Sequence, residues 1–334
     1  MTGNGATFHA SAPVRLDFAG GWTDVAPFAW EEHGVVVNAA IELRSYADLR
    51  PGGDCYQLVS EDLGQTLELR GPEALVSNGE LDLMKAALRR MSMGYAALRT
   101  RSQVPPGSGL GSSGALDVAL VAALDAARGI SRPARELAEE AWQLETVDAA
   151  LAGGKQDQYA AALGGFHRLE FQRDQVKVTP LRLAADFVAE LERRVIVCYT
   201  GTSRISSTTI ARVMGRYRAR EAEVVSALRT MAEVALEMAE ALEAADLHRV
   251  ARLLTANWRQ QQRLDPGMQT PSMARLEDRL GQAGALGGKA AGAGAGGSMF
   301  FLLGGPRGPA EEAAREAGAT VLPFTWAREG VKVW

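Results

Sequence analysis

The amino-acid sequence predicts an α+β protein, and three observations carry that prediction. Apolar residues alternate strictly at Phe8, Ala10, Ala12, Val14, Leu16 and Phe18. That is the period of a half-buried strand, with His9, Ser11, Arg15 and Asp17 on its other face. At Leu81, Met84, Leu88, Met91, Tyr95 and Leu98 the apolar spacing changes to three and four. This predicts an amphipathic helix with Lys85 and Arg89 outside. Strands then return late in the chain, the strongest at Ser298 to Leu303.

The remaining elements follow in order. Val35 to Leu43, Tyr56 to Ser60 and Gln65 to Arg70 read as strands, before the helix at 81–98. A Pro/Gly/Ser segment, Val104 to Gly114, opens an Ala-rich helix running to about Arg128. Ser131 and Pro133 are start signals for a further helix, to about Ala152. After the Gly153-Gly154 turn, Phe166 to Val178 reads as a hairpin and Arg194 to Thr200 as a buried strand. Residues 205–280 are largely helical, broken at Pro266 and Pro271. A Gly/Ala-rich stretch, Gly281 to Gly297, feeds the strand at Ser298, and a helix (Pro309 to Ala317) and a strand (Thr320 to Phe324) follow. The chain is expected to divide into two domains, residues 1–188 and 189–334.

Composition narrows the function. The chain has 334 residues, long enough for two modest domains around one cleft. With 47% hydrophobic and 23% charged residues it is an ordinary folded protein. A net charge of −4, with acids and bases mixed, gives no sign of a nucleic-acid surface or a polybasic membrane anchor. Cys55 and Cys198 lie far apart in apolar runs and read as buried free thiols of a reducing compartment. Met1 to Ser11 lacks the basic and apolar regions of a signal peptide, and the most apolar run, Ala115 to Ala127, contains Asp117 and Asp125. A cytoplasmic setting is expected.

The most informative segment is Val104-Pro-Pro-Gly-Ser-Gly-Leu-Gly-Ser-Ser-Gly-Ala115. Gly107, Gly109 and Gly111 permit positive φ and close backbone approach, so successive amides can point at one anion. Ser112 and Ser113 then stand at a helix start, where free N–H groups and the dipole favour phosphate. Their hydroxyls can cap the helix or coordinate Mg²⁺. No Lys-Ser/Thr follows at the spacing of a Walker A loop, and the spacing and preceding strand do not suit a dinucleotide fingerprint. A plain glycine loop with a serine cap is the alternative on these residues alone.

Pro-x-x-x-Gly-Leu-Gly-Ser-Ser-Gly resembles the phosphate loop of the GHMP kinases. Three more blocks resemble that family in the expected order. Ser11-Ala-Pro-Val-Arg-Leu-Asp-Phe-Ala-Gly-Gly-Trp-Thr-Asp24 is similar to its N-terminal motif. Gly153-Gly-Lys-Gln-Asp-Gln-Tyr-Ala-Ala161 is similar to the segment that carries its catalytic acid. Gly281 to Gly305 is similar to its C-terminal glycine-rich motif. The resemblance implies a GHMP fold: an N-terminal domain with a left-handed βαβ crossover and a C-terminal ferredoxin-like domain.

It also implies ATP and Mg²⁺ as cofactors and a set of site residues. Asp157 would be the base or orienter of the substrate hydroxyl, with Arg15 and Lys155 as nearby cations. Pro106, Gly107, Ser108, Gly109, Leu110, Gly111, Ser112, Ser113 and Gly114 would cradle the nucleotide phosphates. Ser113 and Glu145 would hold Mg²⁺. Asp24 would accept sugar hydroxyls from a loop of Gly20, Gly21, Trp22 and Thr23, with Trp22 able to stack on a sugar face. Galactokinases carry Glu-His where this chain has Gly21-Trp22. The blocks resemble instead the heptose kinases of the family, which phosphorylate the anomeric hydroxyl of D-glycero-D-manno-heptose 7-phosphate. Thr200-Gly-Thr-Ser-Arg204 fits that group, with Arg204 as a grip on a substrate phosphate. An L-fucokinase, another anomeric sugar kinase, or a catalytically silent sugar sensor are the alternatives. Partners would be ATP and a sugar or sugar phosphate, with a homodimer left open.

Overall fold

The computed structural model describes residues 5–173, 175–202 and 206–334. Strands β1 (Phe8–Ala19) and β2 (Gly34–Pro51) flank a short helix, α1 (Phe28–Glu31). The hairpin β3 (Tyr56–Ser60) and β4 (Gln65–Leu69) leads through α2 (Asp82–Arg90) to β5 (Ala96–Ser102). Three helices follow: α3 (Ser112–Ala127), α4 (Ala134–Gln143) and α5 (Gln156–Leu163). A second hairpin, β6 (Phe166–Gln172) and β7 (Gln175–Pro180), ends at α6 (Ala185–Arg194). The second half runs β8 (Val195–Tyr199), α7 (Ser206–Arg218), α8 (Ala222–Glu243), α9 (Leu247–Arg263) and α10 (Pro271–Gln282). It closes with β9 (Ala285–Ala290), β10 (Ser298–Leu303), α11 (Arg307–Glu316), β11 (Thr320–Leu322) and β12 (Lys332–Val333).

Two sheets organise these elements. The larger has eight strands along the path β12-β1-β2-β5-β3-β4, with β6 on the free half of β2 and β7 beyond it. Among the described residues its one parallel pair is β3 with β5, so the chain crosses over between them through β4 and α2. The smaller sheet is antiparallel in the order β11-β8-β10-β9. Numbered along its own segment this is the 4-1-3-2 arrangement of a ferredoxin-like βαββαβ unit. The division expected near residue 188 falls inside α6, and β12 returns from the far end of the chain to pair with β1.

Local chemistry explains where elements start and stop. Thr270 caps α10 through Met273 N, with Pro271 in the first turn, and Asp246 caps α9 through Arg249 N. Helix α3 is Ala-rich and apolar nearly all round because β1, β2, α4 and α5 surround it. The helix expected over 81–98 ends at Arg90. Ser92 adopts a positive φ of 48°, Gly94 follows, and Leu98 belongs to β5, opposite Leu49 of β2 and Leu58 of β3. Lys85, expected on the outer face, is buried, and its Nζ donates to Val76 O and Asn78 Oδ1. Strand β1, expected to be half-buried, is covered on both faces from Ala10 to Ala19, because α3, α5 and α8 all pack on it. The helix expected to reach Ala152 stops at Gln143, and a π-helical turn, Leu144–Asp148, takes its place.

Two apolar cores result. One lies between the large sheet and its helices, and the other fills the second half of the chain. Trp22, Val25 and Phe28 of the first half insert into the second core. The loop after β1 is thereby anchored in the smaller unit, and the cleft between the two cores is fixed. Among the described residues no helix is long and apolar enough to cross a membrane.

Leu120, at the centre of α3, is fully buried, whereas Leu236 on α8 is 37% exposed. Leu120→Ala should cost about 2–5 kcal/mol by leaving a cavity. Leu236→Ala should cost well under half of that. Denaturant unfolding of the two variants checks the difference, and equal losses would show that α3 is not the packing centre.

Candidate active site

A cavity of about 370 Å³ opens between the cores, lined by β1, the loop into α3, the π-helical turn, the start of α5 and the loop after β9. Arg15 lies at its floor. The alternation of β1 sends Arg15 and Asp17 to the same side, and the two are 5% and 1% exposed. Arg15 Nε donates to Asp157 Oδ1 at 2.8 Å. Its Nη1 donates to Gly109 O at 2.8 Å and to Ala291 O at 2.7 Å. One guanidinium therefore joins three glycine-rich segments that are far apart in sequence.

Asp157 sits in the first turn of α5, against the helix start of α3. Two glycines allow that approach. A Cβ on Gly111, whose φ is +79°, would stand 3.0 Å from Asp157 Cγ, and one on Gly114 would stand 2.6 Å from Asp157 Cβ. The loop before α3 presents Pro106, Gly107, Gly109, Gly111, Ser112 and Ser113 to the cavity. Ser108, Leu110 and Gly114 do not line it. Ser108 O instead accepts from Ser298 N at 2.7 Å and Leu110 O from Arg15 N at 2.9 Å, which hold the loop in place.

Two more carboxylates converge from other elements. Asp24 Oδ2 accepts from the Gln156 amide at 3.0 Å, and Gly154 leaves room for it. Burial, with Asp157 and Asp17 nearby, pushes the Asp24 carboxyl up to about 6. Glu145, in the π-helical turn, accepts from Gln158 Nε2 at 2.7 Å and lines the cavity together with Ser113. Burial and the Asp157 charge push it up to about 7. Π-helical turns often mark functional positions, and this one turns Glu145 into the cavity.

The other expected residues fall differently. Trp22 and Gly21 line the cavity, Trp22 with a positive φ of 85°. Gly20 and Thr23 build the turn behind them. Gly20 N donates to Asn257 Oδ1 at 2.8 Å, and the buried Thr23 hydroxyl bridges Gly20 O and Val35 O. Lys155, expected as a second cation, does not reach the cavity. Its Nζ pairs with Glu139 at 2.7 Å and lies over the Trp142 ring. Arg204 lies outside the described residues. Sequence reasoning did not single out Asp17, Gln156 or Gln158 as site residues, although Asp17 and Gln156 line the cavity and Gln158 orients Glu145.

Comparison with known proteins gives this geometry a family. The model of the GHMP kinases N terminal domain matches residues 81–165, and that of the GHMP kinases C terminal domain matches residues 238–321. The chain is 32% identical to D-glycero-alpha-D-manno-heptose 7-phosphate kinase of Campylobacter jejuni, over 98% of this chain and 99% of that one. The chain belongs to the GHMP kinases.

As a GHMP kinase it transfers a phosphoryl group to a hydroxyl acceptor, with ATP as the family's donor. It is also 29% identical, over 87% of its length, to the bifunctional fucokinase/GDP-fucose pyrophosphorylase of Arabidopsis thaliana, of which it spans 29%. Among solved structures, a D-glycero-D-manno-heptose 1-phosphate kinase from Bacteroides thetaiotaomicron superposes with a TM-score of 0.79 at 27% identity, over 98% of each chain.

The raised carboxyls fix the sign of a pH effect on the ligand-free protein. Glu145 ionises at about 7 against an ordinary 4.5, and Asp24 at about 6 against 3.8. Between the ordinary and raised values the folded chain holds protons that the unfolded chain has lost. Through these groups stability is fully present below about 4, falls as pH rises to about 7, and is level above. Glu145→Gln should flatten the upper part of that decline. Denaturation midpoints across the window check this, and an unchanged slope in the variant would show that Glu145 titrates as an ordinary carboxyl.

Proposed function

We propose that this cavity phosphorylates the anomeric hydroxyl of a sugar, and that the sugar is D-glycero-D-manno-heptose 7-phosphate. The observation that carries the kinase reading is the Arg15–Asp157 pair, held between the amide-rich loop of α3 and the Asp24 carboxylate. The relative that shares nearly the whole chain supports the choice of sugar.

The chemistry follows from the residues. Phosphoryl transfer is mostly positioning and neutralisation of oxygen charge. The amides of Gly107 to Ser113, with the α3 dipole, suit nucleotide phosphates. Asp24 accepts hydroxyls of the sugar and sets its orientation. Asp157 accepts the proton of the attacking hydroxyl or fixes its oxygen, and Arg15 holds that carboxylate in place.

Ser113 and Glu145 would hold Mg²⁺. Both oxygen-bearing side chains line the one cavity, and a magnesium ion bound by one or two protein oxygens takes the rest of its ligands from phosphate and water. When bound, the ion offsets negative charge on phosphate oxygens. Free buried Cys55 and Cys198 suit a reducing compartment and support a cytoplasmic setting.

A kinase screen across heptose 7-phosphate, unphosphorylated heptose, mannose, fucose and galactose, with product NMR, tests the substrate. Heptose 7-phosphate should give the highest kcat/KM and a C1 phosphate. Preference for fucose would favour the fucokinase reading, and binding without turnover would favour a sensor.

A pair of variants separates chemistry from recognition. Asp157→Asn should lower kcat by roughly 10²–10⁴ with little change in sugar KM, the usual range for general-base help. Asp24→Asn should raise sugar KM at least as strongly as it lowers kcat. Steady-state kinetics on both check the assignment, and an Asp157→Asn enzyme with near-normal kcat would overturn it.

A further inference from the structure

Asp17 has no part in the scheme above, yet it lines the cavity and is 1% exposed. Its two carboxylate oxygens differ. Oδ2 accepts from Lys289 Nζ at 2.9 Å. The same ammonium donates to Asp17 O at 2.7 Å and Ala290 O at 2.9 Å, so all three of its protons are used. Gly21 presses on Oδ2, since a Cβ there would stand 2.1 Å away. Oδ1 is buried and has no hydrogen-bond partner among the described residues. Buried carboxylate oxygens are rarely left without a donor, and such gaps are filled by an ordered water or a ligand.

Charge selects the kind of ligand. Asp17, Asp24 and Asp157 would repel an anion, while Arg15 and Lys289 are already committed to protein oxygens. The group that suits Oδ1 is a neutral donor, a hydroxyl. Arg15 and Asp17 are two residues apart on β1, about 6.6 Å at strand spacing and on the order of a sugar ring's width. With Arg15 holding Asp157, a second hydroxyl across the ring would come within reach of Asp17.

We propose that Asp17 is a substrate-contacting, specificity-determining residue that accepts a hydrogen bond from a non-reacting sugar hydroxyl through Oδ1. Lys289 is its positioning residue, locking the carboxylate and tying it to β9. This rests on the reading of the cavity as a sugar site.

Asp17→Asn alone leaves the buried Lys289 charge without its partner, so the decisive variant removes both charges, Asp17→Asn with Lys289→Met. It is measured with the sugar that the unaltered enzyme turns over best. Sugar KM should rise roughly 10- to 100-fold, the usual range for a hydrogen bond to a charged group, with kcat changed far less. Among mono-deoxy analogues, the unaltered enzyme should discriminate against one non-reacting position by a similar factor, and the double variant should lose that discrimination. A folded double variant with unchanged sugar KM overturns the proposal and makes the pair structural only. A crystal structure of the unaltered enzyme with sugar gives an independent readout. A substrate oxygen within hydrogen-bond distance of Asp17 Oδ1 supports the proposal, and a trapped water there overturns it. Absence of turnover with every sugar would sink the sugar-kinase reading itself, a result distinct from turnover that ignores Asp17.

Discussion

The site depends on one buried guanidinium. Arg15 leaves β1 into a cleft where it meets the Asp157 carboxylate, the Gly109 carbonyl and the Ala291 carbonyl. Each partner belongs to a different glycine-rich segment, and the segments come from both halves of the chain. A planar cation with fixed donor directions can hold such a junction in one geometry, and an ammonium on a flexible stem would not. Remove it, and the loop before α3, the start of α5 and the loop after β9 lose their common point of reference.

Around that junction, backbone packs on backbone. A Cβ on Gly292 would stand 2.3 Å from Gly109 O, and one on Gly297 would stand 2.7 Å from Ser108 O. Glycine raises the entropy of the unfolded chain, so these positions weaken folding locally. What they provide is a cleft walled by amides, with the first and third glycine-rich segments close enough to act on one anion. The apolar insertion of Trp22, Val25 and Phe28 into the second core offsets part of that loss and fixes the loop after β1.

Parts of this were legible in the sequence because their signals are local. The β1 alternation, the helix start at Ser112 and the strand at Ser298 each need only short-range pattern. Asp157 was legible through its motif, since an acid after a double glycine has no distinctive local signature. Lys155 misled for a geometric reason. Successive residues on a helix turn by about 100°, so its place next to the start of α5 points it towards Glu139 and Trp142 while Asp157 faces the cavity. Asp17 was placed on the correct face of β1, but that face was taken for a solvated one. Only the tertiary packing of α3 and α5 shows that it is the cavity wall. Tyr95 and Leu98 kept a helical spacing by chance, and the Ser92-Met93-Gly94 break decided against it.

The charge balance of the cleft favours cations and neutral hydroxyl donors over anions beside its carboxylates. Arg15 and Lys289 are held by protein oxygens, while Asp24 and Glu145 are pushed towards neutrality by burial and by the carboxylates beside them. Asp117, buried behind Glu145 on α3, is pushed well above the usual carboxylate range by burial and by Glu145. Such a cluster is under electrostatic stress that a cation between Ser113 and Glu145, and hydroxyl donors at Asp24, would each relieve. Binding at those positions would then draw part of its free energy from that relief. On the proposed roles, the carboxylates that would hold the ligands are the ones crowded together in the fold, so occupancy and stability would be coupled through one set of charges.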